Sequence, residues 1–260
     1  MKVTFLGTGT STGIPLIGSG HPVCQSTNKK DKRLRSSVLV EWDKSSFVID
    51  TGPDFRQQLL RTDCTKIDAV LMTHEHSDHT AGLDDLRPFF YRQGAIDVYA
   101  HERVLKSLYK RFDYIFVTEN KYPGVLTLNA HPITDTPFSI GTKTVRPINV
   151  LHNSLPIFGF RIDRFAYITD AKTISDIEVE KLQNLDVLVI NALRIEPHVS
   201  HFNLKEALAF IKLVNPKRAF LTHIKTFIVT HLKYLVPKFG NNLISYGCFY
   251  IPIPAPQKSA

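Results

Sequence analysis

The sequence predicts an α/β (α+β) fold in which two β-sheets pack face to face with helices outside, and three observations point to it. Strand-like apolar runs followed by helical stretches appear in the first half of the chain and again in the second. Polar residues with chelating side chains recur just past such runs, where open α/β sheets place their ligands. No fixed-period repeat and no low-complexity linker divides the 260 residues, so 1–260 is read as one domain with a substantial core.

In chain order, residues 2–6, Ser37–Glu41 and Phe47–Asp50 read as strands of one sheet. The stretch between the first two, Gly7 to Arg35, is rich in Gly, Thr, Ser and Pro and reads as a long functional loop. Asp50-Thr51-Gly52-Pro53 ends a strand and opens a helix that runs through Leu60, with Pro53 in its first turn. Ala69–Met72 is a short buried strand. Leu83 to Gln93 is helical and interrupted at Pro88, Ile96–Tyr99 is a strand, and Glu102 to Phe112 is a helix. Val125 to Ile162 holds short strands punctuated by Pro and Gly. Phe165–Ile168 is a strand, and Ser175 with Glu178 forms a capping box for the next helix. A strand at Asp186–Asn191, a helix at Leu204–Val214 and a strand at Arg218–Leu221 follow. A helix over 228–236 and a strand over 243–246 close the chain.

A hydrophobic content of 43% and a charged content of 22% are those of a soluble globular protein. No run of about eighteen apolar residues is present to cross a membrane. Residues Met1–Gly7 read as a strand rather than a secretory segment. Cys24, Cys64 and Cys248 are odd in number and far apart, which gives no disulfide framework and fits a reducing cytoplasm. The formal charge of +8 favours anionic partners, either nucleic acid or a small phosphorylated metabolite. Lys29–Arg35 carries much of that charge, as a contact surface or as a solvated basic loop.

The strongest chemical signal is Thr73-His74-Glu75-His76-Ser77-Asp78-His79, directly after the Ala69–Met72 strand. Imidazoles and a carboxylate at this density suit Zn²⁺, Mn²⁺ or Fe²⁺. Adjacent Asp78 and His79 cannot easily join both other histidines on one ion, so two ions are the simpler arrangement. Further ligands must then come from elsewhere, and His152, Asp170 and His223 each stand just past a strand-like run.

The order His-x-His-x-Asp-His, then His, Asp and His, resembles the metallo-β-lactamase-fold hydrolase superfamily, as do Leu6-Gly7-Thr8-Gly9 and Asp50-Thr51-Gly52. The resemblance covers essentially the whole chain and implies a four-layer αβ/βα sandwich with a metal pair at its edge. It implies that His74, His76 and His152 hold one ion, that Asp78, His79 and His223 hold the other, and that Asp170 bridges them. Secreted β-lactamases, with their usual Cys ligand, and flavodiiron proteins, with Glu where this chain has His76, fit less well. Glyoxalase-type thioesterases need more than the 37 residues after His223, and β-CASP nucleases insert a domain where Asp170 and His223 are 53 positions apart.

Gly7–Ser11, Asp50–Gln58, Gly82–Pro88 and Asn191–Arg194, followed by His198 and His201, are similar to PhnP-like phosphodiesterases. That likeness implies a small or cyclic phosphodiester substrate, hydrolysed by a hydroxide held between two divalent ions, Zn²⁺ before Mn²⁺. It gives Asp78 and His201 catalytic roles, His201 as the acid for the departing alkoxide or as a stabiliser of the charged transition state, and Asp78 as a ligand that orients the nucleophile. His198 is a supporting or substrate-contacting candidate, and a homodimer is expected. Two departures from the family pattern stand out. Ser19, His21, Cys24 and Thr226 occupy the positions of a structural zinc, so this third ion is expected to be absent or weakened. Ser154 stands where relatives often have Lys, which leaves specificity open. Two other readings remain: a tRNA 3′-processing nuclease resembling ribonuclease Z, and a non-catalytic metal-bearing scaffold.

Overall fold

The structure, a computed structural model, describes residues 1–117, 119, 121–226, 243–244 and 250–252. The first sheet contains β1 (Lys2–Gly7), β2 (Ser37–Trp42), β3 (Ser45–Ile49), β4 (Ala69–Leu71), β5 (Ile96–His101) and β6 (Leu128–Ile133), with β14 (Tyr250–Pro252) on the free edge of β1. The β1–β2–β3 segment is an antiparallel meander, and β3 to β6 run parallel. The second sheet contains β7 (Phe138–Ile140), β8 (Lys143–His152), β9 (Leu155–Ile162), β10 (Phe165–Ile168), β11 (Val187–Asn191), β12 (Arg218–Thr222) and β13 (Leu243–Ile244). Here β7 to β10 are antiparallel, and β10 to β13 parallel.

Alternation along the strands assigns each side chain to a layer. Val3, Phe5, Val38, Val40, Phe47, Ile49 and Leu71 face Phe158, Phe160, Tyr167, Val189 and Phe220 of the other sheet. The intervening Leu39, Val48 and Val70 face outward, onto Phe55, Leu83, Val104 and Leu108. On the far side, Ala166, Leu188, Ile190 and Leu221 meet Val179, Leu204, Ala207 and Phe210. The central strands are therefore covered on both faces, which is why Ala69–Met72 and Val187–Ile190 are unbroken apolar runs. Each large side chain buried this way contributes about 1.5–3 kcal/mol.

The helices are α1 (Pro22–Gln25), α2 (Phe55–Leu59), α3 (Ser77–Thr80), α4 (Arg87–Gln93), α5 (Glu102–Arg111), α6 (Asp113–Phe116), α7 (Asp176–Glu180) and α8 (Leu204–Val214). Among the described residues, no helix is long and apolar enough to cross a membrane.

Several expectations are corrected. Pro53 stands in a turn ahead of α2 rather than in its first turn. Leu83–Leu86 is a 3₁₀ turn and α4 begins at Arg87, so Pro88 opens a helix, where its missing N–H costs nothing, instead of interrupting one. Ser175 makes no side-chain cap, and the reciprocal bond is missing too because the Glu178 carboxylate is drawn to Asn149 N at 2.9 Å and Lys181 Nζ at 2.6 Å. The reciprocal capping box forms at Asn203 and Glu206, at the start of α8. The first long loop is not structureless. It contains α1 and a 3₁₀ turn at Lys29–Asp31, and Ile14 pairs with Arg33. The basic stretch divides: Lys29, Lys30 and Lys32 are exposed, Arg33 is buried with Nη1 on Thr8 Oγ1 at 2.8 Å, and Arg35 pairs with Asp54 at 2.9 Å. The expected helix over 228–236 lies outside the described residues, as do 245–246 of the last expected strand.

Candidate metal centre

The expected ligands meet at one rim of the sandwich, where β4, β8, β10 and β12 end. His74 and His76 lie in the loop after β4, and Asp78 and His79 in the single turn of α3. His152 is the last residue of β8, while Asp170 and His223 follow β10 and β12. Asp50, Asp170 and His223 all adopt left-handed backbone conformations, with φ of 65°, 58° and 52°. Such a backbone is unusual for residues with a Cβ, and its concentration here reflects chain reversals that turn these side chains back over the strand ends.

Asp78, His79, Asp170 and His223 bring ligand atoms within 4.8 Å of one another, and so do His152, Asp170 and His201. Asp170 belongs to both groups. His201, expected as an acid outside the ligand set, falls inside the second group through Nε2 at 2.9 Å from Asp170 Oδ1. His74 and His76 are bonded to each other at 3.0 Å and join by ring contact, with centroids 5.7 and 5.2 Å from that of His152. His198 stands behind His201, with the two Nδ1 atoms 3.2 Å apart, and accepts the Ser200 N–H at 3.3 Å.

Surrounding groups fix which nitrogen of each ring is presented. His79 Nδ1 donates to Asp50 Oδ2 at 2.7 Å, which turns Nε2 toward Asp78 and Asp170 at 3.2 and 3.3 Å. His152 Nδ1 lies 2.8 Å from Ser200 O and 3.0 Å from Asp170 O; two carbonyls demand a proton there and leave Nε2 with its lone pair. The Thr73 hydroxyl gives its proton to Asp50 and so accepts from His74 Nδ1 at 3.0 Å, again freeing Nε2 as an acceptor. Orientation of an imidazole by a carboxylate or carbonyl on its other nitrogen is the usual support of a metal ligand.

His79 Nε2 and His223 Nδ1 are buried and make no hydrogen bond, although carboxylate oxygens lie close by. Orphaned nitrogens facing ionised carboxylates are what a divalent cation would satisfy, so the donor set fits one.

The electrostatics agree. Burial, with the neighbouring His79, holds His74 well below the ordinary imidazole range. Burial also lowers His152, and it brings His223 to about 4. For His79 burial works in the same sense, but Asp170, Asp50 and Asp78 override it and raise the group well above its usual value. Burial opposes ionisation of Asp78 and Asp170 too, yet the histidines around them, His79 and His223 foremost, hold both well down. Neutral imidazoles, ionised carboxylates and one retained proton on His79 therefore line the centre.

Supporting residues escaped the sequence reading. Asp50 binds Thr73 N at 2.8 Å besides His79; its motif was read as a strand end and as part of the family resemblance, with no role assigned to the carboxylate. Ser36 Oγ accepts the His223 N–H at 3.0 Å, and the Asn191 amide brackets Ala171 beside Asp170 at 2.8 and 3.0 Å. Glu75 pairs with Arg103 through two bonds of 2.9 and 3.1 Å. Gly52 and Gly82 permit backbone contact, since a Cβ on either would lie 2.1 Å from a carbonyl oxygen, of Asp78 or Gly52 respectively. His21 caps α1 by accepting Val23 N–H, His101 caps α5, and His131 meets Asp97.

Residues 46–224 match the family described as the β-lactamase superfamily domain. A Porphyromonas gingivalis protein named octanoyltransferase is 39% identical over 238 residues, 90% of this chain and 48% of that protein. A Methanococcus maripaludis protein named ribonuclease Z is 25% identical over 203 residues, 72% of this chain and 54% of that one. The chain thus spans about half the length of these two relatives. A crystal structure described as a new diphosphatase from the PhnP family superposes with a TM-score of 0.89 at 32% identity, covering 97% of this chain and 98% of that one. The chain belongs to the β-lactamase superfamily, has the metallo-β-lactamase fold and shares the PhnP family with that diphosphatase.

Proposed function

We propose that the protein is a metal-dependent phosphodiesterase acting on a small phosphodiester or cyclic phosphate. The observation that carries this reading is Asp170, shared by two groups of donors, in one of which His79 Nε2 and His223 Nδ1 are buried without a hydrogen-bond partner. His74, His76 and His152 would hold one divalent ion and Asp78, His79 and His223 the other, with Asp170 common to both; Zn²⁺ suits this donor set best and Mn²⁺ next. When bound, such a pair supplies Lewis acidity toward phosphoryl oxygens and activates water near neutral pH.

The chain's own side chains do the rest. Asp50 and the Ser200 carbonyl keep His79 and His152 in the presenting tautomer. Asp78, one residue from His79 and only partly buried, orients the nucleophile at the open side. His201 holds a proton on Nε2, where Asp170 accepts it in the resting centre, and gives it up to the departing alkoxide. His198 and Ser200 steady the His201 ring from its Nδ1 side. The net charge of +8 favours an anionic substrate. The free thiols of Cys24 and Cys64 accord with a cytoplasmic setting.

Metal analysis and a substrate panel on one preparation test the proposal. The panel contains an aryl phosphodiester, cyclic nucleotides, a diphosphate, an octanoyl thioester and a lactam. Two ions per chain, phosphodiester turnover and its loss in His76→Ala are expected. Full turnover in His76→Ala, or thioester cleavage in place of phosphodiester cleavage, would overturn the reading. Similarity to ribonuclease Z supports a second reading, tRNA 3′ processing. Precursor tRNA cleaved in preference to every small diester, with binding that falls steeply as salt rises, would establish it instead.

A further inference from the structure

The metal turn is gripped from outside the centre as well as from within it. Arg103 and Arg111, about two turns apart along α5, converge on Glu75, the residue between His74 and His76. Arg103 meets the Glu75 carboxylate with both prongs of its guanidinium, Nε on Oε1 at 2.9 Å and Nη2 on Oε2 at 3.1 Å. The same Nη2 donates to the Pro156 carbonyl at 2.7 Å. Arg111 Nη2 donates to the Glu75 carbonyl at 3.1 Å and to Thr80 Oγ1 at 2.8 Å, and that hydroxyl donates to the His76 carbonyl at 2.8 Å.

His76 has the greatest need of this support. The rings of His74, His79 and His152 are aimed by Thr73, by Asp50 and by the Ser200 carbonyl. His76 is exposed, and among the described residues its ring hydrogen-bonds only to His74, at 3.0 Å. With neither a carboxylate nor a carbonyl on its ring, its aim depends on where its backbone is held. That backbone, on either side of the residue, is what Arg103, Arg111 and Thr80 hold.

The Pro156 contact extends the hold to the other sheet. Pro156 pairs with Leu151 across the β8–β9 hairpin, and Leu155 before it pairs with His152. One guanidinium thus joins the turn of His74 and His76 to the hairpin that carries His152. A second link, from the Phe158 N–H to Thr73 O at 3.1 Å, joins the same two segments. A bidentate arginine–carboxylate pair fixes direction as well as distance, which a point charge does not.

We propose that Arg103 is a positioning residue for one half of the metal centre. By bridging Glu75 and Pro156 it sets the separation of His76 from His152, while Arg111 and Thr80 hold the far end of the turn. The inference rests on the reading in which His74, His76 and His152 share one ion, and it is independent of the reaction that the ion serves.

Zn²⁺ titration of the metal-depleted full chain against a chromophoric chelator tests it, with His76→Ala identifying the class of site that contains His76. Arg103→Gln is expected to weaken that class about 10–100-fold and to leave the other at native affinity. Arg103→Lys keeps the charge but cannot span the carboxylate and the carbonyl together, so its affinity is expected to fall between the two. Glu75→Ala, which removes the partner instead, is expected to weaken the same class. With Co²⁺ in place of Zn²⁺, the visible absorption of that class alone is expected to change. Native affinity at the His76 class in either Arg103→Gln or Glu75→Ala overturns the proposal, and so does equal weakening of both classes, the result of a loosened fold. The readout is metal rather than turnover, so failure of the phosphodiesterase reading shows in the substrate panel and failure of this one in the titration.

Discussion

Replacing Asp50 by Asn removes one charge and one acceptor from the floor of the metal centre while leaving its size unchanged. The native carboxylate accepts three protons: from Thr73 N at 2.8 Å, from Thr73 Oγ1 at 2.8 Å and from His79 Nδ1 at 2.7 Å. An Asn amide has a single oxygen, so it can serve either Thr73 or His79. If the oxygen turns to Thr73, the NH₂ faces His79 Nδ1, which must become the acceptor. The imidazole proton then moves to Nε2, the atom that faces Asp78 and Asp170. If the oxygen turns to His79, the buried Thr73 N–H meets a donor, at a cost of about 1–3 kcal/mol.

The first outcome avoids that cost, weakens the ion at Asp78, His79 and His223, and leaves the site at His74, His76 and His152 with the Thr73 hydroxyl that orients His74. Loss of such a supporting group typically lowers metal affinity 10–100-fold, or about 1.4–2.7 kcal/mol. Titration of metal-depleted protein with Zn²⁺ against a chromophoric chelator reads the two sites as separate classes. One class is expected to weaken by that factor while the other is unchanged. Two classes at native affinity in Asp50→Asn would refute the inference that Asp50 sets the His79 tautomer.

Three further outcomes follow from the same geometry. Because the three surrounding carboxylates keep His79 protonated above neutrality, while His74, His152 and His223 are held neutral, Zn²⁺ loading at pH 7 should release about one proton per chain. A raised pKa means that proton and cation compete, so affinity should climb with pH by up to about tenfold per unit until the folded His79 value is passed; calorimetry in buffers of different ionisation enthalpy showing no release would contradict it. Gly52→Ala puts a Cβ 2.1 Å from the Asp78 carbonyl, which only backbone movement can relieve. A loss of about 1–3 kcal/mol is expected, seen as a melting temperature lower by roughly 2–12 °C, together with weakened binding at the Asp78 site; an unshifted melt would show that the approach relaxes freely. His201→Gln should lower phosphodiester turnover by about 10²–10⁴-fold with two ions still bound. A single ion in that variant would make His201 a ligand, in keeping with its place beside His152 and Asp170.

Which side chains gather at the candidate metal centre was legible in the sequence and their support was not, for a physical reason. His74, His76, Asp78 and His79 are compressed into one turn, so their chemistry is local, and the Ala69–Met72 run before them is apolar because both faces of β4 are covered. Asp50 acts on His79 across 29 positions, through the parallel pairing of Ile49 with Leu71. The Asp50-Thr51-Gly52 motif marks the family resemblance, but nothing local to it shows that the carboxylate reaches His79. The same distinction explains the failed cap: Ser175 and Glu178 have the right spacing, but Asn149, 29 positions away, offers the Glu178 carboxylate a buried N–H. At Asn203 and Glu206 the distant Lys172 ammonium takes Glu206 Oε1 at 2.7 Å and leaves Oε2 to reach Asn203 N at 2.9 Å, so the local pattern prevails. Gly52 and Gly82 follow the same logic, since each is required by a carbonyl that only the folded chain brings near. Local spacing therefore decides which atoms can bind a cation. Long-range register decides which nitrogen carries the proton and which carboxylate stays charged, and so whether those atoms are ready to bind.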